Sequence, residues 1–221
     1  MRPWLAAERS LEGLNAAAAA RGLRTESGCE VRFVAPSSVA RYYEISVFES
    51  GRVATRIDRP HDWFNALAWL AFPRTKARLN ALHAAEIPRE AGQRGRRRDL
   101  LTIFDEGGAI VAGSAAAEAL VREARWRELF VERHAEFRIV VLGHAVLEQA
   151  LAPRPSITCK VVFADPAGDV DAQAAGVISR LQTPKDLPPL PVFGYPGWLP
   201  QSVDASFYAD RRVFRQPQGV K

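Results

Sequence analysis

"RIDRPHDWFNALAWLAFPRTKARLNALH", from Arg56 to His83, is the stretch on which the reading of this chain turns. It is rich in Trp, Phe, Leu and Ala, yet it carries His61, Asp62, Asn65, Lys76, Asn80 and His83 at near-helical spacing. His61 and Asn65 are four apart and share a face with Trp69, and Asp58 or Asp62 is suited to cap a helix beginning near His61. Trp63, Phe64, Leu67, Ala68 and Leu70 make that helix apolar nearly all round, which predicts burial. Pro73 suits the first turn of a second helix over about 74–85. On it Lys76, Asn80 and His83 fall at i, i+4 and i+7, flanked by Leu79 and Leu82.

Two explanations compete for these polar groups. In one, they line a cleft. His61 or His83 is then the general acid or base, since an imidazole ionises near neutrality. Asp62 orients it, Asn65, Asn80 and Asp105 hydrogen-bond a substrate, and Lys76 with Arg98 clamps an anion. In the other, they are caps and buried hydrogen-bond partners, because a buried amide left unpaired costs about 1–3 kcal/mol. Residue by residue the second is favoured; for the set together the first has a slight edge.

Outward from this stretch, "PWLAAERSLEGLNAAAAARGL" predicts an N-terminal helix with Trp4, Leu5, Leu11 and Leu14 on its apolar side and Gly22 as its stop. "CEVRFVAP" and "SITCKVVFA" predict strands. "YYEISVFESGRVATRI" predicts a hairpin turning at Glu49-Ser50-Gly51, and "DLLTIFDEGGAIVAG" a second turning at Asp105-Glu106-Gly107-Gly108. In that strand Thr102 and Phe104 would face opposite to Leu101, Ile103 and Asp105. A long helical region is expected over 114–151, broken near His134 and Gly143. Six prolines lie between Pro184 and Pro200, interleaved with Leu187, Leu190, Val192, Phe193, Tyr195 and Trp198. That segment predicts an arm that wraps the core, with "VFGYPGW" as an anchor rather than a lid. The expected fold class is α+β: one domain over 1–221, with an N-terminal helix to 25, a mainly helical core with two β-hairpins to 183, and a Pro-rich C-terminal arm from 184.

Several of these segments resemble a known family. "YYEISVFESGRVATR", "HDWFNALAWLAFPRTKARLNALH", "RRRDLLTIFDEGGAIV", "LGHAVLEQAL" and "FGYPGWLPQSVDASFYADRRVFR" are similar to the bacterial family known as domain of unknown function 3025. The likeness runs from about Val31 to Arg215. It implies a bacterial single-domain protein of this length and brings no activity or catalytic assignment, so the chemistry has to come from the residues.

Composition narrows the classes. The chain has 221 residues, 48% hydrophobic and 25% charged. It has no apolar run of membrane-spanning length and no signal-peptide pattern, so a cytoplasmic location is expected. Cys29 and Cys159 form no disulfide framework, and Cys159 sits in an apolar strand pattern expected to be inert. The net charge of +5 is concentrated in "REAGQRGRRR", Arg89 to Arg98. Nucleic acid is therefore a disfavoured partner, although a basic binding module built on Arg94–Arg98 remains the alternative to an enzyme. No GxSxG, GxGxxG, P-loop, HExxH or CxxC motif is present. No His precedes His61 to complete an H…HD…D metal pattern, so no metal ligand is assigned and the cofactor is unknown. His144 and Glu148 stand at i and i+4 and read as structural, and His134 reads as exposed. The expected ligand is a small anionic molecule, with no membrane partner.

Overall fold

The computed structural model describes residues 9–36, 42–90 and 93–215. Helix α1, Leu11–Ala20, opens on Ser10, whose hydroxyl accepts from the Gly13 amide at 3.0 Å, and stops at Gly22 with φ +59°. Trp4 and Leu5 lie outside the described residues. Strand β1, Arg32–Val34, pairs in parallel with β2, Arg52–Ala54, through the intervening helix α2, Tyr43–Ser50.

The first expected hairpin is therefore a helix followed by a strand. Tyr, Ile, Val and Phe favour extended structure, but complete burial of the Val47 side chain in a cluster with Leu14, Phe33, Val53 and Trp63 outweighs that local preference. Gly51 is the stop of α2 rather than the tip of a turn. Its N–H donates to the Val47 carbonyl at 2.8 Å, its φ is +71°, and a Cβ there would run into the Glu30 carbonyl.

Helices α3, Pro60–Ala71, and α4, Pro73–Glu86, both start on proline, in α4 as expected. Helix α3 is capped at Arg59 without a side-chain hydrogen bond, so neither Asp58 nor Asp62 is its cap, and Asp62 is turned to Arg56 instead. Helix α5, Arg96–Gly107, runs directly into strand β3, Gly108–Gly113, and so overturns the second hairpin. Leu100, Leu101 and Phe104 are fully buried, a helical rather than an alternating set, and Asp-Glu-Gly-Gly is a helix-to-strand junction. Arg96 to Arg98 form the first turn of α5; Ala91 and Gly92 of the basic segment lie outside the described residues.

Helix α6, Ala115–Arg122, begins the region expected to be helical, but strand β4, Phe137–Val141, lies between the two anticipated breaks. Helix α7, His144–Gln149, strand β5, Thr158–Ala164, helix α8, Val170–Ile178, and strand β6, Pro189–Pro191, complete the fold. The main sheet has the order β4-β3-β5-β6, with β3 and β5 parallel and both outer pairings antiparallel. The prolines of β6 are accommodated because it is an edge strand.

The chain is α+β. Alternate residues of the central strands serve two apolar clusters. Val111, Cys159 and Val161 face a cluster with α6, Phe130, Phe193, Tyr208 and Phe214. Ile110, Val162 and Ala164 face a cluster with α4, α5, α8 and Leu187. A third cluster joins α1, β1, β2 and α3. The Pro-rich arm wraps this core as expected: the Tyr208 hydroxyl reaches the carbonyls of Gly194 and Ser202, each at 2.8 Å, and Tyr195 packs edge-on against Phe137. Residues 216–221 of the expected arm lie outside the described residues. Among the described residues no helix is long and apolar enough to cross a membrane.

Candidate functional site

Helices α2, α3, α4, α5 and α7 meet around a cleft of about 360 Å³, lined among others by Tyr43, Glu44, Arg56, His61, Asp62, Asn65, His83, Asp105 and His144. Each helix contributes through its own period. Helix α4 presents Lys76, Asn80 and His83 at i, i+4 and i+7, and α5 presents Arg98, Thr102 and Asp105 at the same interval. Helix α2 brings Tyr43 and Glu44 from its first turn, and α7 brings His144 as its first residue.

Gly143 makes that last placement possible. A Cβ at this position would lie 2.5 Å from the Glu106 carbonyl oxygen and 2.6 Å from the Gly108 nitrogen, so α7 can approach the end of α5 only on a glycine. Gly143→Ala should cost about 1–3 kcal/mol, read as a lower urea midpoint. An unchanged midpoint would show that this junction yields without strain.

Lys76 is at the floor of the site. Its ammonium donates to Asp105 and to Asn65 Oδ1, the latter at 2.7 Å, and lies 5.7 Å from the centroid of the Trp69 ring. Asn65 Nδ2 in turn donates to the Tyr43 hydroxyl at 2.9 Å. Asp105 continues the line on its other side, with Oδ2 at 4.0 Å from His144 Nδ1. The His144 ring stands edge-on to His61, centroids 4.5 Å apart. His61, more exposed, sits at the mouth, with Nδ1 at 3.5 Å from Asp62 Oδ1. Asp62 is pinned by Arg56, which contacts it through Nε at 2.7 Å, a terminal guanidinium nitrogen at 3.0 Å and its backbone amide at 3.0 Å.

Burial and charge divide the titratable groups. Burial, reinforced by the charge of Asp105, pushes the Glu44 carboxyl up to about 7, against the pull of its hydrogen bond from Asn80. Burial takes His83 and His144 down to about 4, so both rings are neutral at pH 7, and Asp105 only partly offsets this. Burial alone would raise Asp105, but Lys76 and the neighbouring imidazoles hold it below the usual carboxylate range. Asp62 is likewise net lowered, the hydrogen bonds from Arg56 outweighing its partial burial. Burial raises the Tyr43 phenol and pushes the Cys159 thiol up to about 12, which fits an inert cysteine. Among the described residues no group of three His, Cys, Asp or Glu side chains is arranged to hold a metal ion.

The structure thus brings His61, Asp62, Asn65, His83 and Asp105 to one cleft and places Lys76 directly beneath. Asn80 stands behind Glu44, donating to its backbone oxygen at 2.9 Å and its Oε2 at 2.8 Å. The expected anion clamp does not stand free. Lys76 is bound to Asp105, and Arg98 is paired with Glu90 at 2.6 Å. Arg94 pairs with Asp99 at 3.0 Å and Arg97 with Glu86 at 3.4 Å, so much of the arginine cluster is neutralised from within. Tyr43, Glu44, Arg56 and His144 were not among the expected site residues. The 98–102–105 interval on α5 was a visible signal obscured by reading that segment as a strand. His144 carried no signal that set it apart from a structural histidine.

A family model described as "Protein of unknown function (DUF3025)" matches residues 31–218. Neither the curated proteins nor the solved structures gave a match to the chain.

Proposed function

The chain belongs to the DUF3025 family of proteins of unknown function, and from its cleft we propose a small cytoplasmic enzyme, a hydrolase or transferase working by general acid–base chemistry on a small molecule. The observation that carries this reading is Glu44 sharing one cleft with the imidazoles of His61, His83 and His144. Acid–base catalysis needs a group that still holds a proton and a group that can take one at the same pH. Glu44, with its carboxyl near 7, is the first kind, and a neutral imidazole is the second.

His61 is the base. Asp62 at its Nδ1 fixes the ring and leaves Nε2 to take a proton from water, for hydrolysis, or from an acceptor hydroxyl, for transfer. Arg56 keeps Asp62 in place. Glu44 returns a proton to the leaving group, and Asn65 and Tyr43 offer the substrate hydrogen bonds. His83 is a second imidazole on the same wall; Lys76 and Asp105 form the charged floor. Two free thiols, Cys29 and Cys159, are consistent with a reducing compartment. The alternative, a basic module built on Arg94–Arg98, is weaker because Arg94, Arg97 and Arg98 already have carboxylate partners.

The test is a panel of chromogenic esters, phosphoesters, glycosides and anilides with wild type, His61→Asn and Glu44→Gln. Turnover should fall by about 10²–10⁴-fold in each variant while both remain folded by circular dichroism. A turnover that survives intact in both would remove the acid–base assignment.

A further inference from the structure

We infer that the cleft takes a cationic small molecule, one carrying a protonated amine or a guanidinium group. The inference rests on the cleft being the substrate site proposed above, and it replaces the anionic ligand expected from Lys76 and Arg98. It uses the ionised Glu44 present above pH 7, where the acid step uses the protonated form present below it.

The first argument is charge left over after internal pairing. Arg56 is bound to Asp62, Lys76 to Asp105, and Arg98 to Glu90. What remains on the cleft wall is the carboxyl of Glu44, whose side-chain partner is the neutral amide of Asn80, and that of Glu106, which points to no cation among the described residues. An entering anion would meet two carboxyls and would have to break an existing ion pair to find a positive partner. An entering cation finds two carboxyls without an ion-pair partner among the described residues, Glu44 being drawn on only at longer range by Lys76 and Arg98.

The second argument is independent of charge. His83 and His144, each only 4% exposed, line the cleft, and the Nδ1 atom of each lacks a hydrogen-bond partner. Asn80 Oδ1, buried behind Glu44, is unpartnered as well. A neutral imidazole nitrogen can accept a hydrogen bond, and an amide oxygen can only accept. Asn80 Oδ1, and His83 Nδ1 when its ring carries the proton on Nε2, therefore call for a donor. An ammonium brings three N–H bonds and a guanidinium five, whereas an ionised phosphate or carboxylate brings none. A cleft of about 360 Å³ admits a head group with a short chain.

Isothermal titration at pH 8 and fixed ionic strength tests this with putrescine and methylguanidinium against inorganic phosphate and acetate. At least one cation should bind wild type saturably, and its affinity should fall at least tenfold in Glu44→Gln and severalfold in Glu106→Gln, an exposed position whose variant is expected to fold. Affinity should also fall as the pH drops from 8 to 6 and Glu44 takes up its proton. Saturable binding of phosphate or acetate without either cation overturns the inference. So does cation binding that neither variant weakens, or no saturable cation binding at all. Because titration needs no turnover, Glu44-dependent cation binding in a protein inert on the chromogenic panel would uphold the ligand class while weakening the enzyme. Acid–base turnover of an anion with no cation binding would do the reverse.

Discussion

Lys76→Met should cost about 3–5 kcal/mol of folding stability, measured by urea unfolding at pH 8. The Lys76 side chain is 4% exposed and Asp105 is 17% exposed, so the pair is largely removed from water. Lys76 also holds Asn65 and lies over Trp69. Methionine fills most of the volume but leaves Asp105 without its main counter-charge. The carboxyl will then take a proton more readily, so the loss should shrink markedly at pH 5. Removing both charges, in Lys76→Met with Asp105→Leu, should recover much of the loss, because a buried ion pair can often be exchanged for apolar packing while half a pair cannot be tolerated. A single variant that loses under about 1 kcal/mol would mean water already solvates the pair. A double variant as unstable as the two single losses combined would mean the charges are not coupled. A folded double variant would also separate architecture from chemistry, since the floor of the cleft would be intact but uncharged.

Lys76 shows why the polar stripe on α4 was legible and much of its surroundings was not. The i, i+4, i+7 spacing of Lys76, Asn80 and His83 follows from helix geometry, and proline at the start of α3 and α4 is equally local. Strands β1 and β5 could be read from their β-branched runs. Helix α2 could not: its residues favour a strand, and it is packing against α4 and β2 that makes it helical. Helix α5 was missed because a helix passing directly into a strand at Gly107-Gly108 looks, from composition alone, like two arms around a turn. That one misreading put Thr102 on the face opposite Asp105 and placed Asp105 at a turn instead of beside Lys76. Strand β4 was lost inside a helical expectation although Phe137 and Ile139 alternate correctly, since five residues are too few to outweigh their helical flanks. His144 reaches Asp105 only through the close approach at Gly143, which no local pattern announces.

The same burial that makes the cleft unusual should appear as an abnormal pH dependence of stability, and here the imidazoles and Glu44 pull in opposite directions. His83 and His144 ionise near 6.5 when unfolded and at about 4 when folded. Below 6.5 the unfolded chain therefore binds protons that the folded chain refuses, and stability is lost as the pH falls towards 4. Each ring accounts for roughly 3 kcal/mol across that window. Glu44 moves the other way, from 4.5 unfolded to about 7 folded. The folded state holds its proton more tightly, so stability is lost as the pH rises from 4.5 through 7, again by roughly 3 kcal/mol. Between 4.5 and 6.5 two rings oppose one carboxyl, leaving a net slope of about one proton, or roughly 1.4 kcal/mol per pH unit in favour of higher pH. Glu44→Gln removes the opposing contribution, so its acid flank should be about twice as steep. Its stability relative to wild type should then rise by roughly 3 kcal/mol between pH 4.5 and 8. His144→Phe should instead flatten the acid flank by about one proton. Urea unfolding at half-unit pH intervals measures all three slopes. Parallel curves for wild type and Glu44→Gln would mean that Glu44 titrates as an ordinary exposed carboxylate, and the proton assigned to the leaving group would have to come from another residue.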